Sequence, residues 1–217
     1  MRSADEFADK LVAIQEDTRL ASVEVQDIGA RVHAITLKAI EQKDVSLSEI
    51  RSVLSSVTEG IHLGLAQRGG EMVQALRDAV GGMDSALVKF AQNMQFSVEE
   101  SISNGKEFRE DELKQSLETV RDLEKSLVEA LRNTGSQATG AFKVEMSSLS
   151  AHLKHAGTDV GGQALSTLAQ LSKQAHSVAH SGKMGIKQAG GDIAGRVAQF
   201  AGGVLTGVGE ALRNTTK

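Results

Sequence analysis

Residues 50–104 read as five successive eleven-residue units, IRSVLSSVTEG, IHLGLAQRGGE, MVQALRDAVGG, MDSALVKFAQN and MQFSVEESISN. The first place of each unit is Ile or Met, and the fifth place is Leu or Val. Eleven residues complete three turns at about 3.67 residues per turn, close to the pitch of an α-helix. The repeat predicts a long helix whose nearly straight apolar stripe contains Ile50, Leu54, Ile61, Leu65, Met72, Leu76, Met83, Leu87, Met94 and Val98.

The eleven-residue frame continues toward the C-terminus, with one polar interruption between Gly105 and Ser116. Its later apolar places hold smaller residues, and 14 of the 22 glycines lie in residues 133–217. Glycine costs about 1 kcal/mol relative to alanine inside a helix. Such helices are intrinsically soft, so we expect packing or a surface to hold them.

A seven-residue repeat covers residues 5–41, with apolar residues in alternating steps of three and four. That spacing is typical of a helix that packs on another helix, in the same chain or in a partner subunit. We predict one heptad helix here. Its seam contains Phe7, Leu11, Ile14, Val25, Ile28, Val32 and Ile35, with Thr18 as its weak place.

These patterns predict an all-α fold of long amphipathic helices, in an elongated bundle or a coiled-coil assembly. We divide the chain into a heptad helix (1–45), a long eleven-residue-repeat helix (46–104), a charged helix (105–133) and a Gly/Ala/Ser-rich amphipathic region (134–217). Ser46 and Glu49 have the spacing of a capping box, which predicts a helix start at that point.

Composition excludes several classes of function. The chain contains no Cys, so disulfides, thiol catalysis and cysteine metal sites are excluded, and a reducing compartment is expected. The acidic N-terminus does not resemble a secretory signal, and no uncharged run reaches the roughly 20 residues of a membrane-spanning helix. We therefore expect a cytoplasmic protein, either soluble or peripheral on a membrane or inclusion.

Other candidate sites are weaker. The pairs His152/His155 and His176/His180 have spacings at which two side chains reach one metal ion, but solvated histidines explain them better. No catalytic grouping or nucleotide-binding loop is present, and basic residues are not interleaved with aromatics as in nucleic-acid binding. We predict no enzyme activity, metal, cofactor or small-molecule substrate. Three GxxxG spacings are candidates for close helix contacts, namely Gly157/Gly161, Gly191/Gly195 and Gly203/Gly207.

Our first functional hypothesis is adsorption to a hydrophobic surface. The segment 183–212 contains six large apolar residues at helical spacing, and burying them would contribute a gross term on the order of 10 kcal/mol before ordering costs. Nearby cations would add attraction to anionic head groups. The predicted contact residues are Ile186, Ile193, Val197, Phe200, Val204 and Val208, with the cations Lys183, Lys187 and Arg196.

The units AGGDIAGRVAQ (189–199) and FAGGVLTGVGE (200–210) resemble the repeats of perilipins, synucleins and exchangeable apolipoproteins. The helical, Cys-free, Ala-rich character is also similar to that of bacterial phasins, which coat polyester storage granules. These resemblances lie in pattern over residues 50–104 and 120–212 and carry no single functional residue. They imply coating of a membrane, a lipid droplet or a storage granule.

The second hypothesis is a structural one, a helical scaffold that self-associates through its front half without binding lipid. The Leu- and Met-rich stripe of residues 50–104 favours this hypothesis, and the smaller stripe after residue 133 favours the first. Both hold if a packed front half carries a surface-active rear half. In either case we expect a homo-oligomer.

Overall fold

The structure is a computed structural model that describes residues 4–24, 26–41, 45–68, 72–103, 110–164, 166–167 and 170. This part of the chain contains six helices and no strand, which confirms the predicted all-α fold. A further helical segment starts at Asp159. The helices are α1 (Ala4–Val23), α2 (Ile28–Ile40), α3 (Leu47–Arg68), α4 (Met72–Ser103), α5 (Glu110–Gln137) and α6 (Gly140–Ala156).

The heptad region forms two helices, so the prediction of one helix over residues 5–41 is wrong. The chain turns between α1 and α2, where Asp27 has left-handed backbone angles, φ 56° and ψ 31°. Aspartate enters this region at lower cost than most residues do. The seven-residue repeat continues after the turn, since Ile28 and Val32 of α2 are buried at the same heptad positions as the apolar residues of α1. Arg31 and Glu24 form an ion pair close to the turn.

The long helix predicted for residues 46–104 is also divided, because α3 ends at Arg68 and α4 begins at Met72. Two adjacent glycines, Gly69 and Gly70, lie in this interval, outside the described residues. The predicted capping box is confirmed. The Ser46 N–H donates to the Glu49 carboxylate at 2.8 Å, and the Glu49 N–H donates to the Ser46 hydroxyl at 3.2 Å.

The chain divides into two compact units, Met1–Phe90 with Asp122–Gly161, and Ala91–Arg121 with Gly162–Lys217. In the first unit, α1 runs parallel to α3, since the backbone near Gln15 approaches Gly60 and that near Arg19 approaches Gly64. Helix α3 in turn runs parallel to α5. Its residue Arg51 contacts Ser126. Thr58, seven residues further along α3, accepts a hydrogen bond from Thr134 on α5.

Helices α2 and α4 cross at two glycines in the first unit. A Cβ atom on Gly82 would contact the carbonyl oxygen of Gly29 and lie 3.1 Å from the His33 nitrogen. Glycine therefore permits a close approach that a side chain at either position would obstruct. The same type of contact joins α3 to α1, where a Cβ on Gly60 or Gly64 would lie 2.5 Å from a backbone carbonyl oxygen.

The core of the first unit is formed by both repeats. The eleven-residue stripe is fully buried at Ile50, Leu54, Ile61, Leu65, Leu76, Met83 and Leu87, whereas Met72 is half-buried. Met94, which belongs to the second unit, is also half-buried. The heptad seam is buried at Ile14, Ile28 and Val32 and half-buried at Phe7, Leu11 and Ile35. Thr18 is also buried, and its hydroxyl donates to the Ile14 carbonyl oxygen at 2.7 Å. The position that is weak by hydropathy is thus satisfied by a local hydrogen bond.

Candidate functional site

A buried carboxylate lies at the start of the helical segment that follows α6. Asp84, on α4, is only 8% exposed. Its two oxygens accept hydrogen bonds from the backbone N–H groups of Asp159 at 2.8 Å and Val160 at 2.9 Å. The first N–H groups of a helix have no partner within the helix. Asp84 supplies that partner from 75 residues earlier in the sequence.

A second carboxylate reaches the same helix start from α5. One oxygen of Glu124 accepts hydrogen bonds from both the backbone N–H and the hydroxyl of Thr158, each at 3.1 Å. The Thr158 hydroxyl accepts from the Gly161 N–H at 3.0 Å, which is the geometry of an N-cap residue. A Cβ atom on Gly161 would lie 2.5 Å from the Glu124 carboxyl carbon, so glycine leaves room for this side chain.

Opposing electrostatic effects act on the pKa of the Asp84 carboxyl. Burial raises the pKa of the Asp84 carboxyl above its ordinary value, while the hydrogen bonds from Val160 and Asp159 lower the pKa. The negative charges of Asp159 and Glu124 act in the same direction as burial. The helix start favours a negative charge, but desolvation and two neighbouring carboxylates outweigh that effect. The charged form of Asp84 is therefore held at some cost to folded-state stability.

The hydrogen bonds of this site hold the backbone at the start of the helical segment that begins at Asp159. Both carboxylates are directed to N–H and hydroxyl donors of the chain, and the described residues contain no group of three or more potential metal ligands. The hydrogen bonds attach residues 158–160 to α4 and α5. Sequence reasoning missed this site because neither acid has a local motif. Glu124 lies among other charged residues of α5, whereas Asp84 is the only charged residue between Asp78 and Lys89.

The second unit contains a cluster of amide side chains. The side chains of Gln95 and Thr167 are buried, and the Thr167 hydroxyl donates to the Gln95 amide oxygen at 3.0 Å. The Gln95 amide nitrogen donates to Glu99 and Gln170, and Gln163 donates to Thr167 at 3.2 Å. Buried polar groups of this kind define a register, because a shifted pairing leaves donors unsatisfied.

The predicted surface-binding residues Lys183, Ile186, Lys187, Ile193, Arg196, Val197, Phe200, Val204 and Val208 lie outside the described residues. So do Val25, His176 and His180, and the side chains of Val98 and His155. His152 is exposed and lines a cavity of about 300 Å³ between α4 and α6, beside Arg77 and Glu145. Of the GxxxG pairs, only Gly157/Gly161 is described, and there Gly161 faces the Glu124 side chain rather than another helix backbone.

Comparison with known proteins places the chain in a family. A family of unknown function (DUF6781) matches residues 5–214. The chain belongs to that family. The match includes the described helices and the segment 183–212 together. No curated protein matches the chain significantly, and no solved structure does so either. No helix in the described part of the chain is long and apolar enough to cross a membrane.

Proposed function

We propose that this protein is a non-enzymatic surface-binding protein in which a packed helical body carries an amphipathic C-terminal segment. The segment 183–212 adsorbs to a hydrophobic surface, which is a lipid membrane, a lipid droplet or a polyester storage granule. The body is the first unit, Met1–Phe90 with Asp122–Gly161.

The observation that carries the proposal is the contrast between two apolar stripes. In the front stripe, which is the apolar stripe of residues 50–98, Ile50, Leu54, Ile61 and Leu65 are almost completely buried in the chain's own core, so these side chains are not available to a surface. The rear stripe is the set of six large apolar residues in the segment 183–212, which also contains cations and many small residues. Adsorption of such a helix scales with the apolar area that it buries, and attraction to anionic lipids adds to it.

The Asp84–Glu124 site supports this division of the chain. The site attaches the backbone of residues 158–161 to α4 and α5, ahead of the segment 183–212 in the sequence. In our proposal, force on an adsorbed C-terminal segment is transmitted to the helical body through this attachment. The family match over residues 5–214 is in keeping with a body and a C-terminal segment that act as one unit.

The test is flotation of the purified full chain with anionic liposomes and with neutral oil droplets. We expect deletion of residues 183–217, or the triple variant Val197→Ser/Phe200→Ser/Val204→Ser, to abolish co-flotation. The matched control is Val12→Ser/Val144→Ser, which removes two apolar side chains, each 66% exposed, from the described helices. Full binding after deletion of 183–217 would exclude the segment as the surface contact.

A second candidate is a scaffold without lipid affinity, and the burial of most residues of the front stripe also favours it. In that case the protein would be highly helical in buffer, would have a multimeric mass, and would not change its circular dichroism with lipid. The first candidate requires helicity to rise when liposomes or droplets are added.

A further inference from the structure

Helices α1 and α2 form a groove of about 320 Å³ on the surface of the first unit. Ala13 of α1 and Ala34 of α2 are exposed in it, while Ile14 is buried and Ile35 half-buried beneath them. Small residues above larger apolar ones leave space for another helix to approach closely. The middle of the groove is therefore apolar and shallowly recessed.

The charged residues of the groove are segregated along its length. The two helices are antiparallel, as shown by the Lys10 side chain, which donates to the Ala39 carbonyl oxygen at 3.1 Å. Lys38 therefore lies at the same end as Lys10. Asp17 lies two helical turns further along α1, roughly 10 Å from Lys10 at 1.5 Å per residue. The groove has a positive end, an apolar middle and a negative end.

We propose that this groove is the docking surface for a second copy of the chain, related by a two-fold axis through its apolar middle. A two-fold axis that lies in the interface, perpendicular to the length of the groove, brings each end of the groove to the opposite end of the partner copy, so Lys38 of each copy faces Asp17 of the other. The two apolar middles then face each other. A patch with opposite charges at its two ends is complementary to itself only in this antiparallel arrangement.

Other charged residues lie near both ends of the groove. Glu6 and Glu41, toward the Lys10 end, each have an interaction within the chain. Arg31, toward the Asp17 end, is paired with Glu24. Glu16 is paired with Arg19 at 2.6 Å. Most stripe residues of α3 and α4 are buried within the chain, whereas Met72 and Met94 are half-buried. The inference does not rest on surface adsorption, and it assigns the expected homo-oligomer to the exterior of α1 and α2.

The test is sedimentation equilibrium of the full chain with a set of charge-exchange variants. We expect Lys38→Glu and Asp17→Lys each to weaken dimerisation by about tenfold or more, because each places like charges together at two symmetric points. The double variant Asp17→Lys/Lys38→Glu exchanges the ends of the groove and is expected to restore dimerisation. Lys143→Glu, at an exposed lysine on α6, is the matched control for charge.

A steric variant tests the apolar middle separately. Ala34→Arg fills the groove and is expected to give a monomer with unchanged helicity, whereas Ala141→Arg at another exposed alanine leaves the dimer intact. A wild-type chain that is monomeric at all concentrations would overturn the proposal. An oligomer that is insensitive to Ala34→Arg, or a double variant no better than the single ones, would overturn it as well. Binding of an acyl carboxylate such as octanoate at Lys10 and Lys38, without any change of mass, would assign the groove to a small ligand instead.

Discussion

Two adjacent glycines in α4 predict opposite effects of the same substitution. A Cβ atom on Gly81 meets nothing within 4 Å, whereas one on Gly82 contacts the carbonyl oxygen of Gly29 and lies 3.0 Å from its carbonyl carbon. Both variants to alanine gain the same helix propensity, about 1 kcal/mol. Since this gain is shared, the difference in stability between the two variants isolates the steric cost at the crossing of α2 and α4.

The steric cost follows from what must move. The contacted oxygen belongs to the backbone of α2, so the overlap is relieved only if the helices separate, by roughly 1 Å. Such a gap forfeits a quarter to a half of the dispersion contact energy around it, and overpacking of this kind costs about 1–3 kcal/mol. The buried neighbours Val32 and Met83 would lose contacts. We expect Gly81→Ala to stabilise the protein by up to about 1 kcal/mol and Gly82→Ala to destabilise it by about 0–2 kcal/mol.

The assay is urea unfolding followed by circular dichroism, supported by thermal melts. A difference of about 1–3 kcal/mol corresponds to a separation of roughly 2–12 °C between the two melting temperatures for a chain of this size. Larger side chains extend the test, because Gly82→Val is expected to be far worse than Gly82→Ala. Equal stabilities for Gly81→Ala and Gly82→Ala would refute the close crossing of α2 and α4.

The remaining predictions concern the carboxylate site and the α3–α5 contact. Asp84→Ala leaves the buried Val160 N–H and the part-buried Asp159 N–H without a partner, and we expect a loss of about 2–4 kcal/mol in urea unfolding. Because the folded-state pKa of Asp84 is raised, its contribution to stability is present below the ordinary aspartate pKa and is lost as pH rises through the folded value. Asp84→Asn is therefore expected to make the free energy of unfolding depend less on pH between the ordinary aspartate pKa and the raised pKa of Asp84. An unchanged pH dependence would contradict the conclusion that burial raises this pKa. Gly161→Ala displaces Glu124 and is expected to destabilise the chain, whereas Gly162→Ala, with nothing within 4 Å, is expected to be neutral or stabilising. Thr134→Val removes the 2.9 Å bond to the Thr58 hydroxyl and is expected to cost about 1 kcal/mol, and no loss would show that this bond is dispensable.

Sequence periodicity predicted which residues are buried better than it predicted where helices end. The positions of the apolar residues in a repeat show which face of a helix is buried. In α1 and α2 the buried residues occupy the same positions of the heptad, before and after the turn at Asp27. When a turn leaves the seven-residue spacing of the apolar residues unchanged, the repeat cannot show where the turn is. The only local sign was Asp27 itself, next to Ile28 and Gly29, and aspartate is too common on helix surfaces to mark a turn alone.

The carboxylate site could not be predicted because its partners are distant in sequence and satisfy backbone groups rather than matching side chains. Threonine favours the N-cap position of a helix, so Thr158 in the sequence Gly157-Thr158-Asp159 is a local signal for a helix start. Nothing in that tripeptide indicates Asp84 or Glu124. Long-range capping of this type depends on the packing of α4 and α5 beside the helix start. How these helices pack is determined by contacts throughout the core, and a short sequence pattern does not predict it.

The close glycine contacts, by contrast, had a usable signal in the repeat. Gly60 and Gly82 both occupy the eleventh place of their units, one residue before Ile61 and Met83. At about 100° per residue, Gly82 lies roughly 60° from the buried Ala79 around the helix, whereas Gly81 lies roughly 160° away. Glycine at the eleventh place therefore falls beside the apolar stripe, where a neighbouring helix packs, and glycine one place earlier falls on the exposed side. The position of a glycine within the repeat therefore predicts whether it permits a close helix contact or only lowers the stability of the helix.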